Sequence, residues 1–216
     1  MSKSAPPETI PPSFFQRVDE SPDALFYSEP RFVTHIDDAT IGALTDFYLD
    51  FLPTNSDVLD LMSSWVSHLP TEVEFNRVSG LGMNYEELEK NPQLDDFLVH
   101  DLNEMPQLPY PDSSFDRITI AVSIQYLIQP QEVFSSIRQV LRPGGEVCIA
   151  MSHRLFPTKA IAAFQHLAPA DRIALVQTYL HRSGFVEITY LDRSPGNADP
   201  LWLVVGRSPG KTRRLP

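Results

Sequence analysis

Cysteine is almost absent from this chain of 216 residues: Cys148 is the one thiol, so no disulfide can form within it. It stands in an apolar run, EVCIAM, where a thiol acts as a small buried hydrophobe rather than a reactive group. Glycine is scarce too, nine in all, and none lies between Gly42 and Gly80. No G-x-G-x-x-G fingerprint is present, which argues against a nicotinamide enzyme. Positive charge is in deficit: 17 Lys and Arg against 28 Asp and Glu give a net charge of −11. Such a surface does not neutralise phosphates, so no nucleic-acid partner is expected. Apolar runs long enough to cross a membrane are missing, and no membrane is expected. His and Cys show no metal-ligand spacing, so no metal is expected.

The ends of the chain are compositionally distinct. Residues 1–13 hold four prolines and no apolar signal region, and read as a flexible lead-in without a secretory signal. Residues 207–216 form a basic tail. Residues 14–206 read as a single domain, with the cytoplasm as the expected compartment. Hydrophobic content of 42% is ample for a core at this length.

The densest pattern lies in residues 101–151. Asp116 opens an apolar strand, Ile118–Val122. Pro130 stands where a helix can start without losing a hydrogen bond, and Val133, Phe134, Ile137, Val140 and Leu141 make one apolar helical face. Gly144 and Gly145 allow a turn with positive φ, and Glu146–Met151 is a second buried strand. Strand, helix and strand make a right-handed parallel unit, and an open sheet of such units binds ligands at the carboxyl ends of its strands.

Other elements follow by pattern. A helix is expected over Ile41–Leu52, capped by Asp37 or Asp38, followed by strand Asp57–Met62 and a short helix near Ser64–His68. A second strand covers Asn76–Leu81, and Asn84 caps a helix with Glu87 completing a capping box. Phe97–His100 is a third strand. A small helix covers Lys159–Gln165, Asp171 caps another that ends at Gly184, and Phe185–Leu191 and Leu201–Gly206 are strands.

Asp101, Leu108-Pro109-Tyr110, Asp112-Ser113-Ser114-Phe115-Asp116 and Leu141-Arg142-Pro143-Gly144-Gly145 occur in order and at the right spacing. In this the chain resembles the class I S-adenosylmethionine-dependent methyltransferases, particularly the type 11 group. The resemblance implies a doubly wound, Rossmann-like α/β fold with seven strands, mainly parallel, the last antiparallel. It implies S-adenosylmethionine as cofactor, S-adenosylhomocysteine as product and a small-molecule methyl acceptor. It also places a cofactor site at Asp60, Met62, Ser63, Ser64, Gly82, Met83, Asn84, Asp101, Leu102, Ala121 and Val122, with Asp101 at the adenine.

Two departures stand out. Where the family has a glycine loop after the first strand, this chain has Met62-Ser63-Ser64-Trp65-Val66, with Trp65 a candidate wall. Where the family has a ribose-binding acid, it has Gly82, leaving Asn84 or Glu86 to reach the ribose. Gln125 and Tyr126 occupy the place of a frequent substrate-facing His pair. Candidate bases include His35, Tyr126 and His153, with His68 and Asp38 beside them. The altered loop keeps an alternative open: a catalytically inactive relative that binds a nucleoside-type ligand or a protein partner.

Overall fold

The computed structural model describes residues 10–210. The expected lead-in and tail therefore lie partly outside the described residues. The helices are α1 (Asp23–Phe26), α2 (Asp38–Phe51), α3 (Tyr85–Glu89), α4 (Pro130–Val140), α5 (Ala162–His166) and α6 (Pro169–Arg182). The strands are β1 (Asp57–Ser63), β2 (Arg77–Gly82), β3 (Asp96–Val99), β4 (Phe115–Ala121), β5 (Leu141–Met151), β6 (Val186–Asp192) and β7 (Trp202–Arg207).

They form one seven-stranded sheet in the order β3-β2-β1-β4-β5-β7-β6. Pairing is parallel from β3 to β5, and β7 runs antiparallel to both β5 and β6. This is the doubly wound, Rossmann-like sheet with an antiparallel last strand that the sequence implies. The strand order reverses between β1 and β4, so the carboxyl ends of these two open a crevice.

Apolar residues alternate between the faces because successive strand side chains point to opposite sides. Leu59, Leu61 and Ile149 pack with α4 and α6 through Phe134, Ile137, Val176 and Tyr179. Val58, Cys148 and Ala150 face the other way, onto Leu44, Tyr48 and Phe51 of α2. Cys148 is fully buried, and burial pushes its thiol well above the ordinary range, as a structural cysteine requires.

The long sequence motif is largely a clamp at the far end of the sheet from the crevice. Arg142 bridges Asp57 at 2.6 Å and Asp116 at 2.5 Å, and Asp116 also accepts the Asp57 N–H. One guanidinium thereby fastens the starts of β1 and β4. Gly145 is needed as glycine, because a Cβ there would sit 2.9 Å from the Asp116 carbonyl oxygen.

Three local expectations are corrected. No helix forms at Ser64–His68, where the chain runs as a loop tied down by side chains. Ala168, not Asp171, precedes α6, with Pro169 at its first position. The capping box at α3 is half made. Asn84 accepts the Glu87 N–H at 3.1 Å, but the Glu87 carboxylate turns away to Ser64 and Arg31.

Candidate functional site

Because β1 has no glycine at its end, its turn is built by a bulge. Leu61 pairs with Leu81 and Ser63 with Gly82, which leaves Met62 as the extra residue at φ 60°. Val122, at the end of β4, sits at φ 50°. Left-handed backbone disfavours side chains, most of all β-branched ones, and such strain concentrates at ligand sites.

The bulge also decides what can stand at the end of β2. A Cβ on Gly82 would collide with the Ser63 carbonyl oxygen, which occupies that space. No acid can therefore stand at Gly82 while the β1 turn keeps this path.

The ends of β1 to β4 line one cleft. It takes in Asp60, Met62, Ser63, Ser64, Gly82, Met83, Asp101, Leu102, Ala121 and Val122. Two hydroxyls at its base are committed. Ser63 Oγ donates to Asp60 at 2.5 Å, and Ser64 Oγ donates to Glu87 at 2.5 Å. Asp60 further accepts Ser67 Oγ at 2.6 Å and Thr119 Oγ1 at 3.3 Å, so it organises the loop after β1. Burial lifts its carboxyl from 3.8 to about 6, against the lowering effect of those three hydroxyls. Asp101 Oδ1 accepts the Asn103 and Glu104 N–H groups, shaping the loop after β3.

The other wall comes from outside the sheet. Residues 16–35 are laid along the loop after β5: the Asp19 N–H reaches the Thr158 carbonyl, and the Ala162 N–H reaches the Gln16 carbonyl. Lys159, wholly buried, pairs with Asp19 and Asp23 at 3.2 Å each, and Arg17 holds Asp23 at 2.7 Å. This segment brings Asp23, Tyr27, Arg31 and His35 to the cleft, facing Tyr126 and Phe156. Burial holds His35 below its ordinary value and His68 at about 4, so both imidazoles are neutral at pH 7.

Among the expected catalytic residues, His35 and Tyr126 line the cleft. Burial raises the Tyr126 phenol, and its oxygen accepts the Phe156 N–H at 2.9 Å. His153 is drawn away to Asp199, at 3.1 Å, and does not line the cleft. Asn84 is also absent from the lining. Its amide donates to the Tyr27 and Ser28 carbonyls, fastening the N-terminal segment to α3. Trp65 forms no wall, since its indole N–H binds the Val33 carbonyl at 3.0 Å. Gln125 is turned inward, donating to the Val122 carbonyl. Glu86 is exposed, whereas Glu87 is buried and lines the cleft.

Sequence reading missed Glu87, Ser123, Arg31 and Phe156 as site residues. Ser123 is informative: it lines the cleft at 9% exposure, and its hydroxyl has no hydrogen-bond partner. A buried hydroxyl without a partner costs about 1–3 kcal/mol, which a ligand acceptor or donor would recover. Among the described residues no cluster of His, Cys, Asp and Glu is arranged for a metal, and no helix is long and apolar enough to cross a membrane.

Residues 68–149 match the family model described as a methyltransferase domain. Over that stretch the chain is similar to methyltransferase domains. The matched segment begins just after the glycine-less turn. The methyltransferase GfsG of Streptomyces halstedii is 40% identical over 57 residues, a stretch covering 26% of this chain and 20% of that protein. Solved structures share the domain's fold. A methyltransferase of Mesorhizobium loti, described as S-adenosylmethionine dependent, superposes with a TM-score of 0.54 at 18% identity, over 76% of this chain and 97% of that one. The [4+2]-cyclase SpnF superposes with a TM-score of 0.59 at 16% identity, over 77% of this chain and 81% of that one. A phosphoethanolamine N-methyltransferase of Haemonchus contortus, bound to S-adenosyl-L-methionine, gives 0.56 at 15% identity, over 76% and 52% of the two chains.

Proposed function

We propose that this methyltransferase domain, spanning residues 14–206, binds S-adenosylmethionine and transfers its methyl group in line to a small-molecule acceptor. The observation that carries this reading is the convergence of the ends of β1 to β4 on one cleft, with the Ser123 hydroxyl buried there without a partner. Asp101 and Met83 would hold the adenine, and Glu87 would take the ribose hydroxyls that no acid at Gly82 can reach. The Met62–Ser64 turn and Ala121–Ser123 would flank the methionine portion. When bound, the cofactor supplies a methyl group on a sulfonium, already a strong electrophile.

What remains for the chain is positioning, exclusion of water and custody of a proton. The segment 16–35 roofs the cleft and keeps water from the reacting groups. Where the acceptor carries a proton at working pH, the neutral His35 imidazole is the group to receive it.

Calorimetry on the purified chain tests this reading, with one equivalent of S-adenosylhomocysteine taken up per chain as the expected result. Asp101→Asn keeps an oxygen for the Asn103 turn but replaces the acceptor facing an adenine amino group. It should weaken uptake by roughly ten- to a hundred-fold, the effect of a charge-supported hydrogen bond worth ~1.5–3 kcal/mol. Ser63→Leu should block uptake while leaving β1 intact. Absence of uptake by the wild type at millimolar ligand would overturn the proposal in favour of a non-catalytic relative.

A further inference from the structure

Arg31 is the one Lys or Arg among the described residues lining the cleft. Its guanidinium is held in place from two sides. The carbon at its centre lies 4.3 Å from the centroid of Phe26 and 5.6 Å from that of Phe156. Nη2 donates to the Phe26 carbonyl at 2.7 Å and Nη1 to the Glu29 carbonyl at 3.4 Å, which leaves Nε and one hydrogen on each Nη for a ligand. Its backbone N–H donates to Glu87 at 2.7 Å, which fixes the residue against α3. Yet among the described residues no carboxylate pairs with the guanidinium, in a chain with 28 acids to 17 Lys and Arg.

Two cleft acids near it are kept occupied: Glu87 accepts the Arg31 N–H and Ser64 Oγ, and Asp23 is held elsewhere. Asp23 accepts both Arg17 Nη1 contacts, at 2.7 and 2.9 Å, pairs with Lys159, and accepts Asn103 Nδ2 at 2.7 Å. A half-buried, oriented guanidinium left without a carboxylate is a site for a planar anion, because its forked donors match two carboxylate oxygens. The surfaces beside it are flat and aromatic. Phe156 stacks on Tyr126 at 5.8 Å with 27° between the rings, and meets His35 edge-on at 5.5 Å.

We infer that the acceptor is a planar aromatic carboxylate, its carboxylate on Arg31 and its ring against Tyr27 and the stacked Tyr126–Phe156 pair. This rests on the methyltransferase reading for its direction, since the sheet edge then holds the cofactor and the roof holds the acceptor. Recognition of the carboxylate is nevertheless measurable without turnover.

Benzoate, benzamide and benzylamine are three probes of one shape and different charge. Each is titrated calorimetrically into the chain saturated with S-adenosylhomocysteine. Benzoate should bind at least tenfold more tightly than benzamide, and benzylamine should give no heat. Arg31→Gln should level benzoate and benzamide while leaving the S-adenosylhomocysteine affinity within twofold. Arg31→Lys, which keeps charge without the fork, should retain part of the preference and guards against a folding defect in the first variant. Equal affinity for benzoate and benzamide, no binding of any probe, or a preference that survives Arg31→Gln would each overturn the inference. Failure of the chain to take up S-adenosylhomocysteine would instead overturn the cofactor reading, and the same comparison on the unsaturated chain would still decide the role of Arg31.

Discussion

Asp60→Asn should make the protein lose stability on acidification from pH 6.5 to 4, while His68→Asn should make it lose stability on the opposite excursion. Burial raises the folded Asp60 carboxyl from 3.8 to about 6. The folded state then holds a proton that the unfolded chain has released. Its contribution is present at low pH and is lost as pH rises from about 4 to about 6. His68 has the reverse sign. Burial, with His35 nearby, lowers it from 6.5 to about 4, so the unfolded chain protonates first and stability is lost as pH falls through that window. Each group accounts for roughly 3 kcal/mol, and in the wild type the two largely offset. Asparagine suits position 68, whose φ of 56° is left-handed. Urea unfolding between pH 4 and 6.5 measures the slopes. Curves parallel to the wild type for both variants would show that neither group titrates in a buried setting.

Gly82→Asp installs an acid where the resemblance asks for one, and the expected result is loss rather than gain. The new Cβ meets the Ser63 carbonyl oxygen, and Leu88 Cδ2 lies at 3.1 Å on the other side. Backbone cannot yield as a flexible side chain does, so the β1 turn must move. Overpacking of this kind costs about 1–3 kcal/mol, or roughly 2–10 °C in a chain of this size. The displaced turn should also reduce S-adenosylhomocysteine uptake by at least tenfold. A variant with unchanged melting and tighter uptake would show that the turn is free to adopt another path. Glu87→Gln is the companion measurement: it should weaken uptake at nearly unchanged stability if this carboxylate serves the ribose.

The fold was legible because its strongest signals are local. The Val133–Leu141 face, Pro130 at a helix start and Gly144 with its φ of 83° each encode one element, and the chain order of those elements leaves few topologies. The same motif said less about the site. Asp116 and Arg142, its most distinctive charges, clamp the base of the sheet, and Asp101 is the motif residue that reaches the cleft.

The site residues missed by sequence share one property: their roles depend on partners far away in the chain. Glu87 looks like half of a capping box, until Ser64 and the Arg31 N–H claim its carboxylate. His153 looks well placed after β5, until Asp199 takes it. Arg31 sits in a stretch without pattern, and becomes notable only once Phe26 and Phe156 frame it and Asp23 is held elsewhere.

The sequence by itself determined the α/β class and the parallel strand–helix–strand units, because periodicity and glycine turns act over a few residues, whereas the antiparallel last strand was implied only by the resemblance that the ordered motifs carry. Tertiary structure alone decided what the glycine-less turn does. Met62 bulges, Ser63 pairs with Gly82, and its carbonyl excludes a side chain there. It also decided which acids and cations remain available, because ion pairs and burial are set by residues that only the folded chain brings together.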